Sequence, residues 1–500
     1  MATDALNPVL GVSSNNKIEI LHSTFLTRHG IIAGSTGTGK SRAMQLLAEQ
    51  LADSGVNVFV SDVKGDASGF CVAGSRHERN ALAQFVPHSL RANYWSLSTE
   101  LARLRFSLQD VGPVLLSRLL ELNSTQESHL SLVFSYVRKN NKTLHSIDDL
   151  LSVLNEMIVT GHRGISKSSM SVIERKLLSL QEAGMDKIFG KRFVELEDLG
   201  GLNVLNLSDS RKNMLASITP AFLLQKLFNE LPEVGDVDVP KYVLFFDEAH
   251  YLFKDANKSL RNLIVTILKQ IRSKGVAVFF ITQDVADLPE DVLSQLGTKI
   301  IFAQRVASAK GEATLRSLSK SFPKTTEFDI AEELKALAPG VAVVTTLDAL
   351  GQQTKPKKVT MFAPATSMNV IDYQTLRSST NPALLKKYAV SNDGRITKTN
   401  PEFLEKKPSP VVSSASDNSK SKKASVWIPI FWFLLKFLDF ILKAGGKVVN
   451  AVVIKPLQNF FKWMFRKPIR VLYLLLILLI LYMLFVNWHL IDSVLKLLRF

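Results

Sequence analysis

The chain has 500 residues, which exceeds one ordinary domain and suggests about three structural units. Its formal net charge of +16 is unevenly spread, because residues 377–500 contain 20 Lys and Arg against 6 Asp and Glu, whereas residues 1–376 contain 41 against 39. This distribution excludes a uniformly basic surface on the larger part, where any DNA contact must come from a local stripe. The single cysteine, Cys71, excludes an intrachain disulfide framework and fits a reducing compartment.

Residues 1–27 form a short N-terminal segment with a possible strand at Lys17–Leu21. Residues 1–17 lack an apolar stretch behind a basic start, so no secretory signal is predicted. We therefore expect the N-terminal part of the chain to stay in the cytoplasm.

A glycine-rich loop follows the apolar run Ile31–Ala33 and precedes a helical pattern from about Lys40 to Ser54. It satisfies the pattern G-x-x-x-x-G-K-[ST] in the order strand, loop, helix, which predicts a phosphate-binding loop. Glycines let successive backbone N–H groups point at phosphate oxygens, and the helix adds its positive N-terminal end. Lys40 is predicted to reach the phosphates and the Ser41 hydroxyl to ligate Mg²⁺. The predicted cradle comprises Gly34, Ser35, Thr36, Gly37, Thr38, Gly39, Lys40 and Ser41.

The next predicted strand is Val56–Val60, with Asp62 just beyond it and the turn Lys64-Gly65-Asp66 after that. An acid at this position can touch water around a metal, but we interpret Asp62 as the cap of the following turn.

Residues 101–199 have a mainly helical pattern and are interpreted as an α-helical insertion in the core. One predicted helix covers Ile147–Met157, and a second has Ile173, Leu177 and Leu180 on one apolar face and ends before Gly184. These stripes predict packing, not a ligand site.

Apolar strand-like runs then alternate with helical stretches, a combination typical of an α/β fold with a mainly parallel sheet covered on both faces. The predicted strands are Leu202–Leu207, Tyr242–Phe246, Val276–Ile281, Lys299–Ala303 and Val341–Thr346.

Two adjacent carboxylates end the buried strand Tyr242–Phe246. Burying charge is costly unless the strand tip opens onto a cation or a polar site. Asp247 is therefore predicted to hold Mg²⁺ and Glu248 to orient and activate the attacking water. Gln283, at the end of a later strand, is the candidate sensor of the γ-phosphate. The alternative is a glutamine that merely caps a turn.

Two arginines are candidates for neutralising charge on the transferred phosphoryl group. Arg305 follows a strand on the same edge, which favours a role within its own subunit. Arg272, at a helix end, can reach the nucleotide of a neighbouring subunit. Since the helix dipole alone also favours arginine there, the two interpretations of Arg272 are equally supported.

Four blocks in order resemble the HerA-like branch of the FtsK-HerA superfamily of pumping ATPases: GSTGTGKS, VFVSDVKGD, LPEVGDVDVPKYVLFFDEAHYLF and RSKGVAVFFITQDVADLPEDVLSQLG. The resemblance runs from about His29 to Phe362 and is strongest to the bacterial helicase HerA-like C-terminal proteins. It implies a RecA-like P-loop core over residues 28–376, ATP hydrolysis, a homo-hexameric ring and double-stranded DNA as cargo. HerA proper has an N-terminal β-barrel, for which 27 residues are too few. The site residues that the resemblance implies are Lys40, Ser41, Asp247, Glu248, Gln283 and Arg305.

The C-terminal quarter predicts membrane attachment. Residues 377–425 are rich in Ser, Pro, Asn and Lys and indicate a basic flexible linker. Residues 471–488 contain no charged side chain and are long enough to cross a bilayer. Four basic residues in 462–470 precede this segment and predict that its preceding side is cytoplasmic.

An earlier apolar segment, 426–444, has Lys436, Asp439 and Lys443 on one helical face, which favours a helix lying in the headgroup region over a second crossing. Two spans remain the alternative. The prediction is a membrane-associated region at 426–500 in the bacterial inner membrane, with the ATPase on the cytoplasmic side.

Two functional hypotheses follow. The first is a membrane-tethered, Mg-ATP-driven motor that moves double-stranded DNA through a ring of identical subunits. The second is a membrane-bound ATPase scaffold or switch whose nucleotide state controls a protein partner in defence, secretion or an envelope process. The nearly neutral charge of residues 1–376 keeps the second hypothesis open.

Overall fold

The computed structural model describes residues 7–389 except 84, 98–100, 163, 185–187, 209–213, 255–257 and 306–308. The chain divides into two units, Met1–Ile396 and Thr397–Phe500. All described residues belong to the first unit.

One sheet of twelve strands organises the described residues, in the order β2-β1-β12-β11-β10-β3-β9-β8-β4-β7-β5-β6. The strands are β1 Val9–Ser13, β2 Ile18–Ile20, β3 Gly30–Ala33, β4 Asn57–Asp62, β5 Ala92–Ser96, β6 Ala102–Arg103, β7 Leu202–Asn206, β8 Tyr242–Phe246, β9 Val276–Thr282, β10 Thr298–Phe302, β11 Val341–Thr345 and β12 Lys357–Met361.

The eight strands from β10 to β6 in this order are parallel to their neighbours. Strands β3, β8, β9 and β10 are buried along their whole length, because helices cover both faces of the sheet. The predicted α/β fold with a mainly parallel sheet is therefore confirmed. Its core strands were recognisable as continuous apolar runs for the same reason.

The other end of the sheet is antiparallel. Strand β11 pairs with β10 in the opposite direction, and β12, β1 and β2 continue that pattern. The N-terminal residues thus extend the same sheet. Strands β12 and β1 were not predicted. They are short, and their pairing joins chain segments that are far apart in sequence.

Thirteen α-helices lie within the described residues. They are α1 Lys40–Asp53, α2 Leu108–Leu119, α3 Ser124–Lys139, α4 Ile147–Val159, α5 Lys167–Glu182, α6 Met214–Glu230, α7 His250–Lys254, α8 Lys258–Ile271, α9 Glu290–Leu293, α10 Ala309–Lys320, α11 Ile330–Ala336, α12 Tyr373–Ser379 and α13 Pro382–Lys387.

Helices α2 to α5 lie between β6 and β7, in the stretch where the sequence pattern was helical. Local chemistry sets their ends. The Asn123 side chain accepts from Gln126 N–H, and Ser146 accepts from Asp149 N–H, so α3 and α4 each begin with a reciprocal capping box. Helix α5 ends two residues before Gly184, whose φ of 75° suits glycine.

The ordered core continues past residue 377, where the sequence predicted the start of a flexible linker. Helix α13 packs on the sheet through Leu384, and Tyr388 is 2% exposed with its ring 5.2 Å from that of Trp95. Arg377 itself lies within α12, so the predicted linker boundary is wrong.

No helix among the described residues is both long and apolar enough to cross a membrane. The predicted interfacial helix at 426–444 and the predicted transmembrane helix at 471–488 lie outside those residues, as does nearly all of the predicted linker. These segments stay predictions.

Candidate functional site

The carboxyl ends of the parallel strands meet at one edge of the sheet, called here the carboxyl edge. The glycine-rich loop joins β3 to α1 at this edge. Gly34 N–H donates to Thr282 O at 3.2 Å and Ser35 N–H to Ala303 O at 2.9 Å, so the two flanking strands hold the loop. A ligand in this position lies where open α/β sheets bind nucleotides.

Gly34, Gly37 and Gly39 all have a positive φ, which favours glycine, and at Gly34 a Cβ would lie 2.6 Å from Phe302 Cβ. Gly37 has a φ of 82° and Gly39 a φ of 127°, and a Cβ on Gly39 would lie 2.9 Å from Phe302 Cε1. The loop therefore turns sharply into the amino end of α1 without steric conflict. Lys40 is 5% exposed, and its Nζ donates to Ser35 O at 3.0 Å. Burial first, and then the neighbouring charge of Lys64, lowers the pKa of Lys40.

A cavity of about 560 Å³ opens along the loop, and Lys40, Ser41 and Lys64 face it. An apolar part of its wall comes from the segment after β12 and includes Phe362 and Met368. Sequence reasoning did not identify this wall. The residues come from a part of the chain without a recognisable motif, and only the fold brings them to the loop.

The acid pair follows β8 at the same edge. Asp247 is 6% and Glu248 4% exposed, and Asp247 Oδ2 is buried without a hydrogen-bond partner among the described residues. Glu248 has a φ of 49°, a left-handed conformation that costs a non-glycine residue free energy and is concentrated at functional sites. A buried carboxylate oxygen without a donor is what a cation site requires.

Three carboxylates converge here. Oxygens of Asp62, Asp66 and Asp247 lie within 4.8 Å of one another, and Ser41 Oγ lies 3.4 Å from Asp66 Oδ2. Burial, with the neighbouring carboxylates, raises the pKa of Asp62 to about 6 and that of Asp247 to about 7. All these ligand atoms are oxygens, the type that Mg²⁺ prefers, so the residues fit this ion. Asp66 is a candidate ligand in addition to the predicted Ser41 and Asp247.

Asp62 has a second task. Its carboxylate accepts from the N–H groups of Lys64 at 3.1 Å, Gly65 at 2.7 Å and Ala67 at 3.0 Å. The prediction that Asp62 caps the turn after β4 is confirmed. These hydrogen bonds hold the backbone of the turn, and so they fix the positions from which the side chains of Lys64 and Asp66 extend.

Gln283 connects the loop to the acid pair. Thr36 Oγ1 donates to Gln283 Oε1 at 3.1 Å, and Gln283 Nε2 donates to Glu248 Oε1 at 2.8 Å. A single amide thus touches both the phosphate-binding loop and the predicted water-activating acid. The contacts differ from those of a turn cap, because both run to other segments of the chain.

Glu248 has two further neighbours that the sequence analysis did not assign. Lys64 Nζ lies 2.5 Å from Glu248 Oε1, and His250 Nδ1 lies 3.1 Å from Glu248 Oε2. Burial opposes a charge on Glu248, but the hydrogen bonds from Lys64 and Gln283 outweigh it, so the pKa of Glu248 is lowered. The sequence signal for Lys64 is the block VFVSDVKGD, which resembles the family but does not by itself indicate a contact with Glu248.

The two candidate arginines lie at opposite edges. Arg305 follows β10 at the carboxyl edge, is exposed, and its backbone N–H donates to Ser35 Oγ at 2.8 Å. Arg272 precedes β9, at the amino end of the strands, and pairs with Asp236 at 2.7 Å. Strand β9 separates the two edges by roughly 20 Å at 3.3 Å per residue. Arg272 therefore does not join the site of its own chain.

The phosphate loop, the paired acids at a neighbouring strand end and the parallel α/β sheet define a P-loop nucleoside triphosphatase. The chain belongs to the helicase HerA-like C-terminal family, whose model matches residues 8–423.

Curated relatives agree with this assignment. The chain is 21% identical over 363 residues to the DNA double-strand break repair helicase HerA of Sulfolobus acidocaldarius, covering 67% of this chain and 65% of that protein. It is 24% identical over 341 residues to the protein of the same name from Sulfurisphaera tokodaii, covering 64% and 62%. The chain thus spans less than two thirds of the length of these relatives.

The structure is also similar to that of VirB4 of Thermoanaerobacter pseudethanolicus. The sequence identity is 16%, the TM-score is 0.48, and the match covers 72% of this chain and 98% of the other.

Proposed function

We propose that the protein is a Mg-ATP-hydrolysing motor that translocates double-stranded DNA through a ring of identical subunits. The observation that carries the proposal is the continuous contact from Thr36 of the phosphate loop through Gln283 to Glu248, beside the carboxylates of Asp66 and Asp247. This arrangement connects the phosphate-binding loop to the carboxylate that serves as the proton acceptor in the proposed reaction.

In this proposal the loop N–H groups and Lys40 hold the β- and γ-phosphates. Ser41, Asp66 and Asp247 would hold Mg²⁺, which would supply positive charge to the phosphate oxygens when bound. A water attacks the γ-phosphorus and passes a proton to Glu248, while the bond from the γ-phosphorus to the β–γ bridging oxygen breaks. ADP and inorganic phosphate leave. Gln283 orients the water and contacts the γ-phosphate.

The DNA part of the proposal is supported by family membership and by the DNA repair helicases among the relatives. The ring part is supported by the resemblance to the FtsK-HerA superfamily. The placement of Arg272 at the amino edge is compatible with a role in a neighbouring subunit and excludes one in its own site. A hexamer is the state that the superfamily resemblance favours. In that assembly Arg305 acts within its own subunit.

We further propose that the C-terminal region anchors the motor in the bacterial inner membrane, with the ATPase on the cytoplasmic side. The support is the uncharged segment 471–488 and the basic residues that precede it. Removing residues 426–500 is expected to release the protein from the membrane fraction. If the shortened protein remains there, the anchor proposal is wrong.

The central test is ATP turnover by the detergent-solubilised full chain with and without duplex DNA, at two salt concentrations. We expect DNA to stimulate turnover and to bind more weakly at high salt, because phosphate contacts release counterions. Lys40→Ala is the matched control that removes turnover in both conditions. If DNA does not change the turnover and no salt-sensitive DNA binding is found, the motor proposal is wrong. That result would favour the ATPase scaffold, with which the nearly neutral residues 1–376 also agree.

A further inference from the structure

Lys64 occupies a turn whose backbone is unusually well held. Three N–H groups of the turn donate to the Asp62 carboxylate, and Asp62 is 1% exposed. Strand β4, which ends in this turn, pairs with β8 in register Ser61↔Phe246, so the turn lies beside the acid pair. The position of the Lys64 backbone is therefore fixed, and only its side chain can change neighbours.

The side chain of Lys64 can reach two places, the Glu248 carboxylate and the phosphate cavity. Its Nζ is 2.5 Å from Glu248 Oε1, and the same side chain faces the phosphate cavity together with Lys40 and Ser41. The Lys64 side chain is 31% exposed and the Glu248 side chain 5%, so the lysine is the partner with open space to move into. A flexible lysine on a rigid turn can exchange one anion for another.

Glu248 is not free to act as a base in this arrangement. Its Oε1 receives hydrogen bonds from both Lys64 and Gln283, and its Oε2 lies 3.1 Å from His250 Nδ1. A carboxylate held by a cation accepts a proton from water less readily. Some of these contacts must change before hydrolysis.

We propose that Lys64 is a second phosphate-binding cation that moves from Glu248 to the γ-phosphate when a nucleoside triphosphate binds, and so frees Glu248 to activate water. The inference rests on the proposed function and deepens it. The γ-phosphate adds negative charge in the cavity that Lys64 already faces, whereas a diphosphate leaves the lysine on Glu248. The chain thereby distinguishes tri- from diphosphate before hydrolysis begins.

A purely structural ion pair predicts something different. It would contribute to folding stability, and its loss would weaken the binding of all nucleotides equally or of none. The exchange proposed here requires that Lys64 affect only nucleotides with a γ-phosphate. The readout is therefore the ratio of two affinities.

The test measures binding of ADP and of the non-hydrolysable analogue AMP-PNP, each with Mg²⁺, to the full chain. Lys64→Ala is expected to weaken AMP-PNP binding about tenfold, the effect of one charge-assisted hydrogen bond, and to leave ADP binding within about twofold. Lys64→Arg keeps the charge and should retain most of the preference. Equal weakening of both nucleotides, or no change in either, would overturn the proposal.

A second variant series checks the exchange itself. Glu248→Gln removes the competing anion, so it is expected to strengthen AMP-PNP binding in the presence of Lys64 and to have no such effect in combination with Lys64→Ala. Strengthening that persists in the double variant would contradict the exchange. The proposed function fails separately: in that case the wild-type chain binds no nucleotide, or Lys40→Ala leaves binding unchanged.

Discussion

Both edges of the parallel sheet contain buried charged or titratable groups, but the hydrogen-bonding of these groups differs between the two edges. At the amino edge, His29 Nε2 donates to Leu268 O at 2.8 Å while Nδ1 accepts from Val278 N–H at 3.1 Å, and Lys274 Nζ donates to Leu231 O at 2.5 Å. At the carboxyl edge, Asp247 Oδ2 has no donor. The difference teaches that an incompletely paired buried charge, more than burial itself, marks the site of chemistry.

This comparison is a statement about free energy as well as location. At the amino edge, His29 and Lys274 are paired by other groups of the chain, and so they contribute to the stability of the fold. Carboxylates at the carboxyl edge repel one another until a cation arrives, and so they cost stability. Four predictions test the distinction, and they are ordered from the largest expected effect to the smallest.

Loss of turnover on substitution of the carboxyl-edge residues is the largest expected effect. Lys40→Ala removes the phosphate-binding cation and Glu248→Gln removes the proton acceptor, so each is expected to lower kcat by about 10³-fold or more. Glu248→Gln should still bind nucleotide, whereas Lys40→Ala should not. The measurement is phosphate release paired with nucleotide binding. Unchanged turnover in both variants would contradict the site.

At the amino edge, His29 is expected to make folding sensitive to acid. Burial lowers the pKa of His29 to about 4, from about 6.5 in the unfolded chain. The unfolded state therefore gains a proton first, so this stability is complete above pH 6.5 and is lost as the pH falls toward 4. The loss from pH 7.5 to 5 is about 2 kcal/mol from the difference in pKa.

Urea unfolding at pH 7.5 and at pH 5 measures this loss of stability. His29→Asn is the control, because it keeps a polar side chain but cannot titrate in this range. The variant is expected to be less stable at pH 7.5 and to show a smaller drop at pH 5. An equal drop in both proteins would show that burial does not keep His29 neutral.

Asp247→Asn is expected to separate stability from activity. Removing one of three converging carboxylates relieves repulsion, so the metal-free chain should gain about 1 kcal/mol of unfolding free energy, a typical scale for charge rearrangement at a functional site. Turnover should be lost with the magnesium ligand. Asp236→Asn makes the same chemical change at the amino edge and should give no gain. A less stable Asp247→Asn variant would contradict the comparison.

Arg272→Ala is expected to have the smallest effect on stability, because the Asp236 partner is 80% exposed and such pairs contribute little. Its effect on turnover decides whether the arginine acts in a neighbouring subunit. In assemblies that mix this variant with Glu248→Gln, a subunit with Arg272 can lie beside a subunit with Glu248. Some turnover should then return if Arg272 acts on the nucleotide of its neighbour. No recovery in mixed assemblies would count against a role between subunits.

Much of the site was predictable because its parts follow strict local patterns. The phosphate loop, Asp247, Glu248 and Gln283 each stand at the end of an apolar run, and parallel strands bring such ends together. The helix after the loop was predicted at about Lys40 to Ser54 and is observed at Lys40–Asp53. These strands are buried on both faces, so their sequences are continuously apolar and easy to recognise, and their ends hold the site residues.

The remainder depended on sheet order, which local patterns do not contain. Lys64 and Asp66 look like an ordinary turn until β4 is placed next to β8. Strands β1 and β12, in the antiparallel part of the sheet, are short and only partly buried, so their residues carry a weak pattern. The predicted linker start at residue 377 was wrong because Leu384 and Tyr388 gain their burial from distant partners.

The most direct test of the account is a structure of the Glu248→Gln variant trapped with ATP and Mg²⁺. The account predicts the triphosphate along residues 34–41, the metal among Ser41, Asp66 and Asp247, and the γ-phosphate within hydrogen-bonding distance of Gln283. A nucleotide bound elsewhere, or a metal held by other residues, would contradict it.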